Sequence, residues 1–216
     1  RLVGSEMCIR DRFNRALVFI ALFFLFFQYI EAQLPSLEKK CLWIVRDSLY
    51  DEESIESAFL HAYHSGYDIV FIQIRGRGYA YYESNIVPKN PKINLAFNPL
   101  DYSIELGNSL GIEVHVWINA YKIWSSKFPP PSNHVFYQLN KSHQDWFATD
   151  INGYMDYSLD MNNSLNNFSG IFLSPLNPES NQYIKSIINK ILNDYTRNGI
   201  PLIDGIHLDY LRYKDS

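Results

Sequence analysis

The chain has 216 residues, a formal net charge of −4, and 47% hydrophobic and 16% aromatic residues. That is one domain's worth of chain with apolar side chains enough for a core, and it excludes intrinsic disorder. A pI near 5.9 without any block of Lys or Arg excludes a nucleic-acid-binding surface, and two cysteines exclude a disulfide framework or a cysteine-rich zinc site.

Residues 1–12 (RLVGSEMCIRDR) have no apolar period and resemble translated sequencing-adapter read-through, which takes Cys8 out of the fold. Asn14-Arg15, the uncharged run at 16–27 (ALVFIALFFLFF) and the small residue Ala32 predict a secretory signal peptide over residues 13–32, cleaved before Gln33. The run is shorter than the ~20 residues a spanning helix needs, so membrane contact is expected to be transient and confined to this segment. The protein is then expected in the periplasm or outside the cell, with Cys41 a buried free thiol at the start of a strand. An acidic remainder favours a neutral or cationic partner over a polyanion.

Residues 42–47 (LWIVRD) predict a first strand, and Asp51, Glu52 and Glu53 open a helix that runs to about His64 and closes at Gly66. Residues 68–75 (DIVFIQIR) predict a second strand, residues 98–110 a helix ended by Gly111, and residues 112–119 (IEVHVWIN) a third strand. Residues 121–171 are rich in Pro, Ser and Asn with little periodicity, which favours a functional loop over a plain connector. Pro178 suits the first turn of a helix over 178–195, where Ile184, Ile187, Ile188 and Ile191 recur at helical spacing. Residues 203–210 (IDGIHLDY) predict a fourth strand.

Strands alternating with helices make an α/β parallel sheet with helices packed outside. Arg46-Asp47-Ser48-Leu49 stands where a dinucleotide-binding sheet would carry its Gly-rich turn. The expected architecture is therefore a (β/α)8 TIM-type barrel, truncated after about four strands because a full barrel takes ~250 residues. An open fourth strand would expose an unpaired edge and apolar surface.

Strand alternation turns Phe71, Gln73 and Arg75 inward, with His115, Trp117 and Asn119 on the third strand and His207 and Asp209 on the fourth. Polar side chains at the C-terminal ends of several strands are the mark of a barrel active site. Asp209 is the sharpest catalytic candidate; an ion pair with Arg212 or Arg75 is its structural alternative. His115 and His207 could ligate a metal with Asp209, but they lack a recognised ligand spacing, and neither metal nor cofactor is expected. Trp117, Tyr79, Tyr81, Tyr82, Tyr121 and Trp124 could stack on sugar faces or pack the core. Arg75-Gly76-Arg77-Gly78 lacks the Lys-Ser/Thr of a phosphate loop, and its glycines instead let a loop bend sharply across the mouth.

Five segments, LWIVRDSL (42–49), FIQIRGRGYAYY (71–82), VHVWINAYKIWSS (114–126), LSPLNPE (173–179) and DGIHLDYLRY (204–213), occur in the order found in the glycosyl-hydrolase-like 10 family, which the chain resembles from about Lys40 onward. The resemblance implies a (β/α)8 glycosidase of the bacterial envelope, acting on a polysaccharide such as the glycan strands of peptidoglycan. It places the family's strand-four carboxylate on Asp209 and sugar-cleft residues on Arg75, His115, Trp117, Asn119 and His207, with Tyr121 beside them. Glycoside cleavage takes two carboxyl groups. Of Asp47, Asp101, Asp150 and Asp156, Asp47 is the best partner within the chain, although a helix cap explains it equally well; a strand beyond residue 216 is the alternative source. A noncatalytic glycan-binding barrel and a metal-dependent hydrolase acting on a sugar substituent are the competing readings.

Overall fold

The computed structural model describes residues 38–126, 128–153, 155 and 170–212. The expected adapter segment and signal peptide lie outside the described residues, as do residues 156–169 of the long excursion. No helix among the described residues is long and apolar enough to cross a membrane.

The chain runs β1 (Cys41–Ile44), α1 (Glu52–His64), β2 (Ile69–Gly76), β3 (Tyr79–Ala80), α2 (Pro99–Leu110), β4 (Glu113–Asn119), β5 (Lys122–Trp124), α3 (Val135–Ser142), β6 (Ile171–Phe172), α4 (Pro178–Asp194), β7 (Thr196–Arg197), β8 (Ile200–Pro201) and β9 (Gly205–Asp209). Local chemistry sets the helix ends. Asp51 caps α1 by accepting from Ser54 N at 2.8 Å, Asn98 and Asn177 cap α2 and α4 with Pro99 and Pro178 just inside, and Gly111 closes α2 at φ 69°. Cys41, expected to be buried, is half-buried at the first position of β1.

The main sheet is parallel in the order β1-β2-β4-β9, with β3 returning antiparallel on the end of β2. Strand order follows chain order with no reversal. Right-handed crossovers then put the helices on one face, unlike a doubly wound sheet with its switch point. Burial agrees: Val70, Ile72, Ile74, Val114, Val116 and Ile118 are at most 2% exposed, while Phe71, His115 and Trp117 on the other face are half-buried and Trp43 is 50% exposed. The protein is thus a mixed α/β fold with a parallel sheet covered on one side. β1 and β9 border the sheet, and every residue of β9 is half-buried, Ile206 and Leu208 included.

Three expectations need correction. β1 ends at Ile44, and Arg46–Ser48 form a 3-10 turn, so Asp47 is not a strand-end carboxylate; it is exposed and accepts from Tyr50 Oη at 2.8 Å. The cap of α1 is Asp51 instead. The excursion after β4 is not a plain loop: β5 pairs with β6, α3 lies between them, and Ile123, Val135, Phe136, Phe147 and Leu173 join the core. These elements are too short for their period to show in the sequence.

Across the half-open face the register aligns Trp43, Phe71, His115 and Gly205 in one row, Gln73, Trp117 and His207 in the next, and Asn119 with Asp209 at the C-terminal edge. Gly205 is required in its row, because a Cβ there would lie 2.3 Å from His115 Nδ1. Gly205→Ala is expected to destabilise the protein by about 1–3 kcal/mol through overpacking, read as a lower denaturation midpoint. An unchanged midpoint would show that the His115 ring can swing away without cost.

Candidate active site

The C-terminal ends of parallel strands converge on one rim, and the side chains there meet in a cleft of about 200 Å³. That is smaller than the ~300–1,000 Å³ of closed ligand pockets, and the cleft is one wall of a site rather than an enclosed chamber. Its lining comes from Val45 and Arg46 after β1, Gln73 of β2, Arg77 of the β2–β3 turn, Trp117 and Asn119 of β4, Lys122, Trp124 and Ser125 at β5, and Asp209 and Tyr210 at β9.

A hydrogen-bond relay runs across the floor. Arg46 Nη1 donates to Gln73 Oε1 at 2.9 Å, and Gln73 Nε2 donates to Asn119 Oδ1 at 3.1 Å. Gln73 and Asn119 are 2% and 6% exposed, so each amide is oriented by its neighbour. With its oxygen accepting from Gln73, Asn119 has its NH2 group as its remaining donor, one strand from Asp209, its register partner. No ion pair holds Asp209 among the described residues; its carboxylate accepts from Tyr210 N at 2.7 Å. The alternative in which Asp209 merely pairs with Arg75 is therefore not realised.

Beneath this polar edge lies an aromatic floor. Trp43 stacks on Phe71 with ring centroids 4.8 Å apart and planes inclined by 18°. His207 packs edgewise on Trp117 at 6.2 Å and against Phe71 at 5.2 Å, and His115 meets Phe71 at 5.1 Å. Phe71 therefore contacts both imidazoles, and no group of His, Cys, Asp or Glu able to hold a metal forms among the described residues.

Of the residues singled out in the sequence, the cleft collects Asp209, Trp117, Asn119, Gln73 and Trp124. His207 and His115 share their face one and two rows deeper. Arg75 is displaced: the ladder slips between Gln73 and Arg75, pairing Arg75 with Ile118 of the helix-covered face. It is fully buried and braces the end of β4, with Nη1 donating to the carbonyls of Asn119 and, at 2.9 Å, Ala120. Tyr121 does not reach the cleft wall; it is 8% exposed and its hydroxyl donates to Asn181 Oδ1 at 2.6 Å. Tyr79, Tyr81 and Tyr82 are core residues, and the aromatic side chains that line the cleft are Trp117, Trp124 and Tyr210. Among the other carboxylates, Asp101 accepts from Asn98 at the start of α2, Asp150 lies in an exposed turn, and Asp156 is outside the described residues.

Sequence reasoning missed Arg46, Arg77, Lys122 and Tyr210. One signal was available for Arg77, which sits between two glycines; it adopts φ 50°, and Tyr210 adopts φ 51°. Left-handed backbone at bulky residues costs energy and concentrates at functional sites. His134 holds the Arg77 turn: Nε2 donates to Arg77 O at 2.6 Å while Nδ1 accepts from Phe136 N at 3.0 Å, which requires the neutral ring. Burial, reinforced by the nearby Arg75 charge, lowers the His134 pKa despite the bond to Arg77.

The folded site thus refuses a proton that the unfolded chain accepts below about pH 6.5. Stability contributed by His134 is complete above that pH and is lost as pH falls through the lowered folded pKa. His134→Asn, which keeps a capping oxygen, is expected to flatten the fall in melting temperature between about pH 6.5 and 5. Equal slopes in the two proteins would assign the acid sensitivity to other groups.

The chain is 22% identical over 169 residues to glycosyl hydrolase DigH of Escherichia coli strain K12, an alignment covering 72% of this chain and 33% of that protein. The chain thus spans about a third of the length of the curated relatives it matches. Its fold is similar to that of a hypothetical protein from Ruminiclostridium thermocellum, with a TM-score of 0.55, 17% identity and coverage of 81% and 78% of the two chains. It is also similar to α-L-fucosidase isoenzyme 2 from Paenibacillus thiaminolyticus, with a TM-score of 0.52, 16% identity and coverage of 80% and 23%. No family model matches the chain. The likeness in sequence is thus to part of one curated protein, and the likeness to the two solved structures is one of fold.

Proposed function

We propose that the protein forms one wall of a (β/α)8 glycoside hydrolase of the glycosyl-hydrolase-like 10 type, exported by the segment at 13–32 and acting on O-glycosidic bonds of a polysaccharide. The glycan strand of peptidoglycan is the first substrate to test. The observation that carries this reading is the pairing of Asp209 with Asn119 on the C-terminal rim of the sheet, above an aromatic floor. Asp209 acts as nucleophile or acid/base, and the Asn119 NH2 group, aimed by Gln73 and Arg46, donates to a sugar hydroxyl whose bond strengthens in the transition state. Trp117 offers a ring face to the sugar.

The partner carboxyl would stand ~5–9.5 Å across the scissile bond, on a strand beyond these four. Release of soluble sugar from isolated peptidoglycan and from neutral polysaccharides by the full-length protein tests the reading, and binding without release from any of them would refute it. That second outcome defines the competing reading, a glycan-binding barrel, which one observation favours: Asp209 is the single carboxylate lining the described cleft.

A further inference from the structure

The whole protein is acidic, but the cleft inverts that sign: Arg46, Arg77 and Lys122 line it against Asp209 alone. None of the three forms an ion pair among the described residues, although Lys89 pairs with Glu83 and Lys190 with Asp194 elsewhere on the surface. Their partners are neutral. Arg46 is held by the Gln73 amide, Arg77 Nε donates to Ser125 Oγ at 3.0 Å, and Lys122 Nζ lies 4.4 Å above the Tyr210 ring and 5.5 Å from that of Phe172. Neutral partners orient a cation without cancelling its charge, so the field in the cleft is left for a ligand.

The arrangement is built rather than incidental. Arg77 and Tyr210 are two of the three non-glycine residues with positive φ among those described, and both line the cleft. Buried His134 fixes the Arg77 carbonyl, and a Cβ at Gly78 would lie 2.7 Å from the His134 ring, so the turn carrying Arg77 closes tightly on its support. The Arg77–Ser125 bond ties that turn to the β5 wall that bears Lys122. Holding Arg77 by Nε leaves its two terminal NH2 groups as a planar fork, the shape that meets a carboxylate.

We propose that Arg77 and Lys122 form a carboxylate-recognition subsite beside Asp209, so that the cleft selects a glycan whose sugars carry carboxylates, such as a lactyl ether or a uronic acid. This rests on the glycosidase reading and narrows it. It also reverses the expectation, drawn from net charge, of a neutral or cationic partner.

The test uses matched ligands, so the unaltered protein is its own folding control. Binding is measured for peptide-free glycan strands bearing lactyl carboxylates and for the same strands after reduction of the carboxylates to alcohols, and likewise for oligogalacturonate and its carboxyl-reduced form. The carboxylated member of at least one pair is expected to bind about tenfold or more tightly, with the preference falling at high salt and lost in Arg77→Gln and Lys122→Gln. The pair that discriminates identifies the sugar. Equal binding of both members in both pairs overturns the subsite while leaving glycoside cleavage standing. A preference that survives in both variants overturns the assignment to Arg77 and Lys122. Absence of binding and of sugar release for every ligand overturns the glycosidase reading as well.

Discussion

Asp209→Asn is expected to lower sugar release by the full-length protein by about 10²–10⁴-fold, the range for loss of a positioned acid or base, while the melting temperature barely moves. The geometry separates the two effects. Asp209 makes no ion pair among the described residues, and the bond it accepts from Tyr210 N at 2.7 Å can be accepted equally by the Asn oxygen. The strand pairing with Asn119 and the bond from Ala120 N to the Asp209 carbonyl are backbone features that the substitution leaves alone. What changes is the capacity to ionise and to exchange a proton. Sugar release and thermal unfolding of the two proteins, measured side by side, check both halves. Unchanged release would move the chemistry off β9, and a large loss of stability would make Asp209 a structural residue.

Phe59→Ala is expected to cost about 3–5 kcal/mol, the range for emptying a buried aromatic site, and urea denaturation measures it directly. Phe59 is fully buried on α1, beside Gly107 of α2. A Cβ built at Gly107 would lie 3.5 Å from Phe59 Cε1 and 2.3 Å from Val114 Cγ2, so helix, helix and strand meet at that point with no spare volume. Removing the ring leaves a void between rigid elements that cannot collapse around it. Against the ~5–15 kcal/mol of a typical domain, this loss would leave the sheet marginal and the cleft with it. A cost below about 1 kcal/mol would mean that α1 repacks freely and does not hold the strands in place.

Much of the scaffold could be read locally. Asn98-Pro99 and Gly111 mark the ends of α2 in the sequence itself, because capping and left-handed backbone are properties of single residues. Period-2 patterning likewise put Gln73, Trp117, Asn119, His207 and Asp209 on one face, and the register bears this out. The same rule failed for Arg75. A one-residue slip against β4 re-aims every side chain beyond it, and only the pairing of two strands reveals a slip. Tyr79, Tyr81 and Tyr82 were equally ambiguous, since tyrosine suits a wet cleft or a core and the choice belongs to what packs over it.

The cleft shows the division most clearly. That Asp209 ends a strand, and that polar side chains gather at such ends, follows from order along the chain, because strand direction and alternation are local. That Arg46 aims Gln73, that Gln73 aims Asn119, and that Arg77 and Lys122 give an acidic protein a basic cleft are facts about segments tens of residues apart. Net charge is a sum and carries no positions; electrostatic fields and hydrogen-bond geometry depend on distance, and distances between remote segments exist only once the sheet has formed.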